Sequence, residues 1–150
     1  SEAKKSELTF TLKNAGIGPA IVKRVIYKYK KEEFSSLREF YRACCEPEAT
    51  QYFKKLKSYS IEESLENGDL YVTSILTNSI VPGQESRQIM GMSKGINNSD
   101  FWQKLDKERF KLTLEICYCS LLGECYVTEK NGIVEEIEYC PIKQPKSKLI

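Results

Sequence analysis

The chain has 150 residues, 41% of them hydrophobic, and its 23 basic side chains nearly balance 21 acidic ones. A nucleic-acid-binding domain is usually clearly basic, with a pI above about 9, whereas the pI here is about 8.1. Histidine is absent, which excludes catalytic sites built on a Ser-His-Asp or Cys-His arrangement. No run of about 18 apolar residues occurs, so the sequence predicts no membrane span.

The N-terminal part of the chain predicts two strands followed by helix. Residues 8–12 alternate apolar and polar side chains, as a half-buried strand does, and residues 20–29 are rich in Ile, Val and Tyr. A turn cluster at 14–19 separates the two strands. Two serines followed by Glu39 form a capping-box pattern, which predicts a helical insertion over residues 35–57.

The remainder predicts more strands with one short helix. Residues 70–76 and 86–92 have the composition of strands, and residues 98–107 that of a short helix. The last third predicts a three-stranded meander over 110–120, 124–130 and 133–140, with Asn131-Gly132 as a two-residue hairpin turn. The prolines and lysines of residues 143–150 predict a flexible tail after one domain over residues 1–142.

The segment from Leu8 to Tyr29 is open to a second interpretation. Its Gly16-Ile17-Gly18 turn matches a helix-hairpin-helix motif, in which backbone amides contact the phosphates of nucleic acid. However, Asn14 lies where the first helix of that motif needs a large apolar residue. β-Branched and aromatic residues are also too concentrated after the turn to favour a helix. We therefore expect strand–turn–strand and no nucleic-acid partner, with the helix-hairpin-helix as the alternative.

Three short motifs carry a resemblance to a known class of protein. LKNAGIGPA (residues 12–20) resembles the first turn of immunoglobulin-like domains on bacterial extracytoplasmic proteins, and IVPGQES (residues 80–86) resembles a later turn of the same domains. The cysteine-rich segment 116–125 is similar to uncharacterised bacterial proteins with a membrane-anchoring helix followed by one small β-rich domain. The resemblance implies a mainly β, immunoglobulin-like β-sandwich outside the cytoplasm, anchored by a helix upstream of Ser1, with Asn14 and the glycines shaping the first turn.

The six cysteines are an even number and a high count for a reduced cytosolic protein. If Cys119 faces Cys125 across the loop between them, strand alternation places four cysteines on one face of the meander. This register predicts a Cys119–Cys125 disulfide. It also predicts an opposite, apolar face that packs in the core and consists of Leu112, Leu114, Ile116, Tyr118, Tyr126, Ile137 and Tyr139.

The other disulfides are less constrained by the pattern. Cys117 and Cys140 would lie two strand spacings apart, about 10 Å, so we expect no bond between them. Adjacent cysteines rarely bond each other, so Cys44 or Cys45 is the expected partner of Cys117 or Cys140. Such a bond would link the helical insertion to the sheet.

Two chemical alternatives use the same cysteines. Cys117, Cys119, Cys125 and Cys140 could bind zinc, but their spacing is not the usual zinc-knuckle spacing. A redox enzyme would normally show a Cys-x-x-Cys motif, which this sequence lacks. With histidine absent as well, we expect no bound metal, no organic cofactor and no catalytic or cofactor-binding residues.

These observations predict a non-catalytic, extracytoplasmic binding or interaction module. Its partner would be an unknown protein or cell-envelope ligand, and it would contact the membrane only through the upstream segment. The helix-hairpin-helix protein is the first alternative function. A carboxylate-based enzyme that works without histidine is the second.

Overall fold

A computed structural model describes residues 7–58, 71–72, 77–128 and 133–141. Over these residues the protein is mainly β, with two antiparallel sheets and three α-helices. The strands are β1 (Glu7–Lys13), β2 (Ala20–Tyr29), β3 (Glu32–Phe34), β4 (Tyr71–Val72), β5 (Ile80–Val81), β6 (Ser86–Ser93), β7 (Thr113–Cys119), β8 (Cys125–Thr128) and β9 (Val134–Ile137). The helices are α1 (Leu37–Cys44), α2 (Glu48–Ser58) and α3 (Ser99–Glu108), and a 3-10 turn follows at Arg109–Lys111.

The two sheets are joined by the turn between β1 and β2. The first sheet has the strand order β1–β6–β4, and the second has the order β3–β2–β7–β8–β9, with β5 paired to the start of β2. Residues 14–19 therefore carry the chain from one sheet to the other. The strand–turn–strand interpretation of Leu8–Tyr29 is confirmed, and the two helices that a helix-hairpin-helix requires are not present in this segment.

The hydrophobic core collects side chains from both sheets and from all three helices. Phe101 of α3 lies at its centre, with its ring 5.7 Å from Tyr41, 5.3 Å from Tyr52 and 5.8 Å from Phe53, measured between centroids. Aromatic pairs at such distances add to the burial energy. The sheets contribute the buried residues Leu8, Val22, Val25, Tyr27, Met90, Met92 and Ile116.

The predicted helices are confirmed in position. The side chain of Ser36 caps α1 by accepting a hydrogen bond from the Glu39 amide at 3.3 Å, and the Glu39 carboxylate accepts one from the Ser35 amide at 2.8 Å. These are the contacts of a capping box, except that the carboxylate accepts from the amide of Ser35 and not from that of the N-cap residue Ser36. None of the described helices has the length and hydropathy that crossing a membrane requires.

Some predicted elements differ or lie outside the described residues. Only Tyr71–Val72 of the strand predicted at 70–76 is described, and β3 and β5 were not predicted. The Asn131-Gly132 turn and the tail at 143–150 lie outside the described residues.

The predicted register of the last strand is wrong by one residue. Thr128 pairs with Val134, whereas a two-residue turn would pair Thr128 with Glu135. A shift of one residue moves every side chain to the other face of the sheet. Ile137 therefore lies opposite Cys125 on the face away from the core, and Tyr139, after the strand, is 68% exposed.

Candidate functional site

The β7–β8 hairpin presents two chemically different faces. Its register pairs Cys117 with Val127, Tyr118 with Tyr126, and Cys119 with Cys125. Because successive side chains of a strand point to opposite faces, the cysteines share one side of the sheet and the two tyrosines share the other. The tyrosine side continues into the core through Ile116.

The structure joins Cys119 to Cys125, the pair that the register predicts. Their Cα atoms are 4.0 Å apart, the short separation of a non-hydrogen-bonded antiparallel pair. The next pair along the hairpin supplies the hydrogen bond, since the Ser120 amide donates to the Glu124 carbonyl at 2.7 Å. The disulfide thus closes the hairpin directly below its loop.

The expectation that Cys117 and Cys140 do not bond each other is wrong. They form a disulfide with a Cα separation of 5.8 Å. The expectation treated Cys140 as part of the third strand, but β9 ends at Ile137 and the chain then turns back across the sheet. The Arg24 guanidinium, on β2, donates a hydrogen bond to the Pro141 carbonyl at 3.0 Å, which places this returning segment over β7.

The expected link between the helical insertion and the sheet is also wrong, because Cys44 and Cys45 bond each other. The insertion packs on the core side of the sheet, where the rings of Tyr29 and Phe40 are 5.2 Å apart. Cys117 and its partner lie on the opposite side, so the sheet separates the two groups. Three disulfide pairs are typical of proteins from an oxidising, extracytoplasmic compartment.

The two disulfides of the sheet lie against each other and form what we call the cysteine cluster (Cys117, Cys119, Cys125 and Cys140). The sulfurs of Cys119 and Cys140 are 3.8 Å apart. Those of Cys119, Cys125 and Cys140 all lie within 4.8 Å of one another. The four residues named by the zinc alternative are therefore brought together in space. Strand alternation predicts their common face, and the returning segment brings Cys140 close to the others.

Charged side chains border the cysteine cluster. Arg24 lies opposite Cys117 in the β2–β7 register and contacts the Glu115 carboxylate at 3.1 Å, while Lys28 contacts the other oxygen of Glu115 at 3.2 Å. The Nε of Arg24 is buried and has no hydrogen-bond partner in the described part of the chain. Arg24 and Glu115 line a cleft of about 560 Å³ together with Ile137.

The tyrosine side of the hairpin borders a second cleft, the tyrosine cleft, of about 550 Å³. The rings of Tyr118 and Tyr126 form one wall, with centroids 5.6 Å apart. The Tyr126 hydroxyl donates to the Glu124 carboxylate at 3.0 Å, and this hydrogen bond raises the pKa of Tyr126. The remaining lining is mostly apolar and includes Pro19, Val22, Val81 and Val134.

The opposite wall of the tyrosine cleft is built by the two turn motifs noted in the sequence. The side-chain amide of Asn14 donates to the carbonyls of Gly18 at 2.9 Å and Val81 at 3.0 Å. The Gln84 side chain donates back to the Ala15 carbonyl at 2.8 Å. The two motifs therefore form one structural unit, which neither motif indicates when it is considered alone.

The described residues contain no buried aspartate or glutamate. Among the described carboxyl groups, Glu48 and Glu108 have shifted pKa values, both lowered, chiefly by hydrogen bonds from Lys104 and Lys111. A carboxyl group that acts as a general acid near neutral pH needs a raised pKa. The feature that would mark the carboxylate-based enzyme is thus not found in this part of the chain.

Comparisons with protein-family models, with curated proteins and with solved structures found no match to this chain.

Proposed function

We propose that this protein is an extracytoplasmic binding module of immunoglobulin-like β-sandwich type that catalyses no reaction and is tethered through a segment upstream of Ser1. The tyrosine cleft is the observation that carries the proposal. Its volume is in the range of about 300–1,000 Å³ that is usual for ligand sites, and its mostly apolar lining is also typical of them. The three disulfides and the two antiparallel sheets support the compartment and the architecture.

The ligand that fits this cleft best is an extended segment of a partner protein. Strand β9 ends the order of the second sheet, and β8 is the one described strand that pairs with it. An edge strand offers unpaired backbone groups to which a peptide can add as a further strand. Because Val134 lines the cleft, a peptide side chain placed beside Val134 on that face would point towards the cleft.

The carboxylates of β9 indicate which charge the bound peptide should carry. Glu136 lies opposite Tyr126, and Glu135 lies on the other face of β9. A peptide added beside β9 therefore meets carboxylates on both faces. We expect a partner segment that alternates apolar and basic side chains.

The experiment measures binding of a fluorescently labelled, capped peptide of alternating valine and lysine by fluorescence anisotropy. We expect binding to the wild-type protein and at least tenfold weaker binding to Val134→Lys, which places a charge at the mouth of the cleft. Val134 is already 48% exposed, so this substitution should leave the fold intact.

Two controls make the result specific. Ile96→Lys introduces the same charge at a residue that is 99% exposed and does not line the cleft, and it should bind the peptide like the wild type. A peptide of alternating valine and glutamate should bind more weakly because of repulsion from β9. Equal loss of affinity in both variants, or equal affinity for both peptides, would contradict the proposal.

A further inference from the structure

We propose that, once both sheet disulfides are reduced, the cysteine cluster binds one thiophilic divalent metal ion such as zinc through four thiolates. The site lies on the face of the β7–β8 hairpin opposite the tyrosine cleft. Its cysteines are therefore not among the residues that line the tyrosine cleft. The oxidised protein holds the same four sulfurs as two disulfides, so the oxidation state decides whether the metal site exists.

The separation of the sulfurs fits tetrahedral coordination. A Zn–S bond of about 2.3 Å sets the sulfur-to-sulfur distance in a tetrahedral site at about 3.8 Å. The sulfurs of Cys119 and Cys140 already lie 3.8 Å apart, although they are not bonded to each other. Cys125 lies within 4.8 Å of both, and Cys117 is the disulfide partner of Cys140. Side-chain rotation after reduction would then bring all four sulfurs around one ion.

The backbone that carries the ligands does not depend on the disulfides alone. Cys117 and Cys119 lie in β7, which pairs with β2 on one side and with β8 on the other. Cys140 lies on the returning segment, which the hydrogen bond from Arg24 to the Pro141 carbonyl also holds against the sheet. The ligand positions should thus persist when the sulfurs are reduced.

Arg24 supplies the charge that such a site needs. Four thiolates around a divalent ion carry a net charge of −2, and metal sites are commonly supported by donors outside the ligand set. Arg24 lies beside Cys117 in the register, and its buried Nε–H has no hydrogen-bond partner in the described residues. A thiolate sulfur beside it would provide that acceptor.

Reduction of the two sheet disulfides uses a phosphine as the reductant. Each disulfide takes up two electrons and two protons as the phosphine and one water become phosphine oxide, which yields two thiols. The four thiols then release four protons to buffer as the metal binds. The Cys44–Cys45 disulfide is reduced in the same way but supplies no ligand to the site.

The experiment titrates Co²⁺ into the phosphine-reduced protein under nitrogen and records the visible absorption of tetrahedral cobalt thiolate. We expect one Co²⁺ per chain with the reduced protein and none with the oxidised protein. Cys140→Ser should weaken binding at least tenfold. The double variant Cys44→Ser, Cys45→Ser should bind like the wild type, and a loss of binding there would overturn the assignment.

A second measurement covers the case in which the reduced chain loses its fold. Zn²⁺ is added to the reduced protein, the strand signal is recorded by circular dichroism, and thiols are then alkylated with N-ethylmaleimide and located by mass spectrometry. We expect the strand signal to be present and the alkylation to occur at the partly exposed Cys44 while the cysteine cluster is protected. Cys45 is fully buried in the core and should stay unmodified in the folded protein. Alkylation of all six cysteines, or a chain that stays unfolded with zinc, would overturn the proposal.

The role of Arg24 is tested separately. Arg24→Gln should weaken Co²⁺ binding about tenfold, the lower end of the effect of removing a group that supports metal ligands. Lys28→Gln removes the other cation that contacts Glu115 and should leave the affinity unchanged. An equal effect of both substitutions would show that only the general charge of this face matters, and would contradict the assigned contact.

Discussion

Replacing Gly83 by alanine should destabilise the protein by separating the two turn motifs that line the tyrosine cleft. A Cβ atom added at Gly83 overlaps the carbonyl group of Ile17, and it lies 3.0 Å from the carbonyl oxygen of Gly16. Both obstacles are backbone atoms, so no side chain can rotate to relieve the clash. The motif at 80–86 must therefore move away from the motif at 12–20.

The cost follows from the hydrogen bonds between the two motifs. The backbone amide of Gln84 donates to the Asn14 carbonyl at 2.8 Å, and that of Asn14 donates to the Glu85 carbonyl at 2.9 Å. The side chains of Asn14 and Gln84 add three further hydrogen bonds between the motifs. Loss of two or three of these bonds, each contributing about 1 kcal/mol, should lower the free energy of unfolding by about 2–3 kcal/mol. For a domain of this size that corresponds to a fall in Tm of about 5–10 °C.

The assay is thermal unfolding followed by circular dichroism, with Gly18→Ala as the matched control. Gly18 lies in the same loop, and an added Cβ there meets nothing within 4 Å, so its Tm should change by less than about 2 °C. Similar Tm values for the two variants would refute the argument that contact between the turn motifs supports this end of the fold.

Two further predictions concern stability. Cys140→Ala should destabilise the protein by about 1 kcal/mol more than Cys125→Ala in denaturant unfolding. The first substitution opens a disulfide with a sequence separation of 23, and the second opens one with a separation of 6. The reverse order of stability would contradict the argument from loop length. Hydrogen bonds from Lys111 and Tyr29 lower the pKa of Glu108, so its contribution to stability is present above the ordinary glutamate pKa and is lost as the pH falls through its folded-state pKa. Glu108→Gln should therefore be less stable than the wild type at neutral pH, with the difference shrinking towards about pH 3 in urea titrations, and a difference independent of pH would contradict the assignment.

The sequence predicted well those features that depend on local pattern. The alternation at residues 8–12, the capping pattern before α1 and the register that opposes Cys119 and Cys125 each arise from neighbours in the chain or from one hairpin. In such cases the side-chain period decides which face is buried, and a tight loop fixes which residues meet. The mainly β character and the positions of the helices follow from the same local signals.

The features that the sequence did not predict depend on where the chain goes after a strand ends. The strand-forming side chains of residues 133–140 predict that Cys140 lies in a third strand, but pairing ends at Ile137 and the chain returns over β7. The Cys44–Cys45 bond follows from the same cause, since the sulfurs of the sheet were already paired with each other. No periodicity encodes a turn of this kind, because it is fixed by distant contacts such as that of Arg24 with Pro141.

The two sites depend on each other through one register. A slip of β8 by one residue along β7 would turn the side chains of β8 to the opposite face, moving Tyr126 away from Tyr118 and from the tyrosine cleft. The Cys119–Cys125 disulfide prevents that slip. Although it lies on the opposite side of the sheet, it thereby keeps Tyr118 and Tyr126 together in the wall of the tyrosine cleft. Reduction removes this covalent constraint, but β7 remains paired with β2 along its whole length. A metal ion bound by the cysteine cluster would again link β7 to β8. We therefore expect peptide binding in the tyrosine cleft to survive in the metal-loaded, reduced protein and to weaken in the reduced protein without metal.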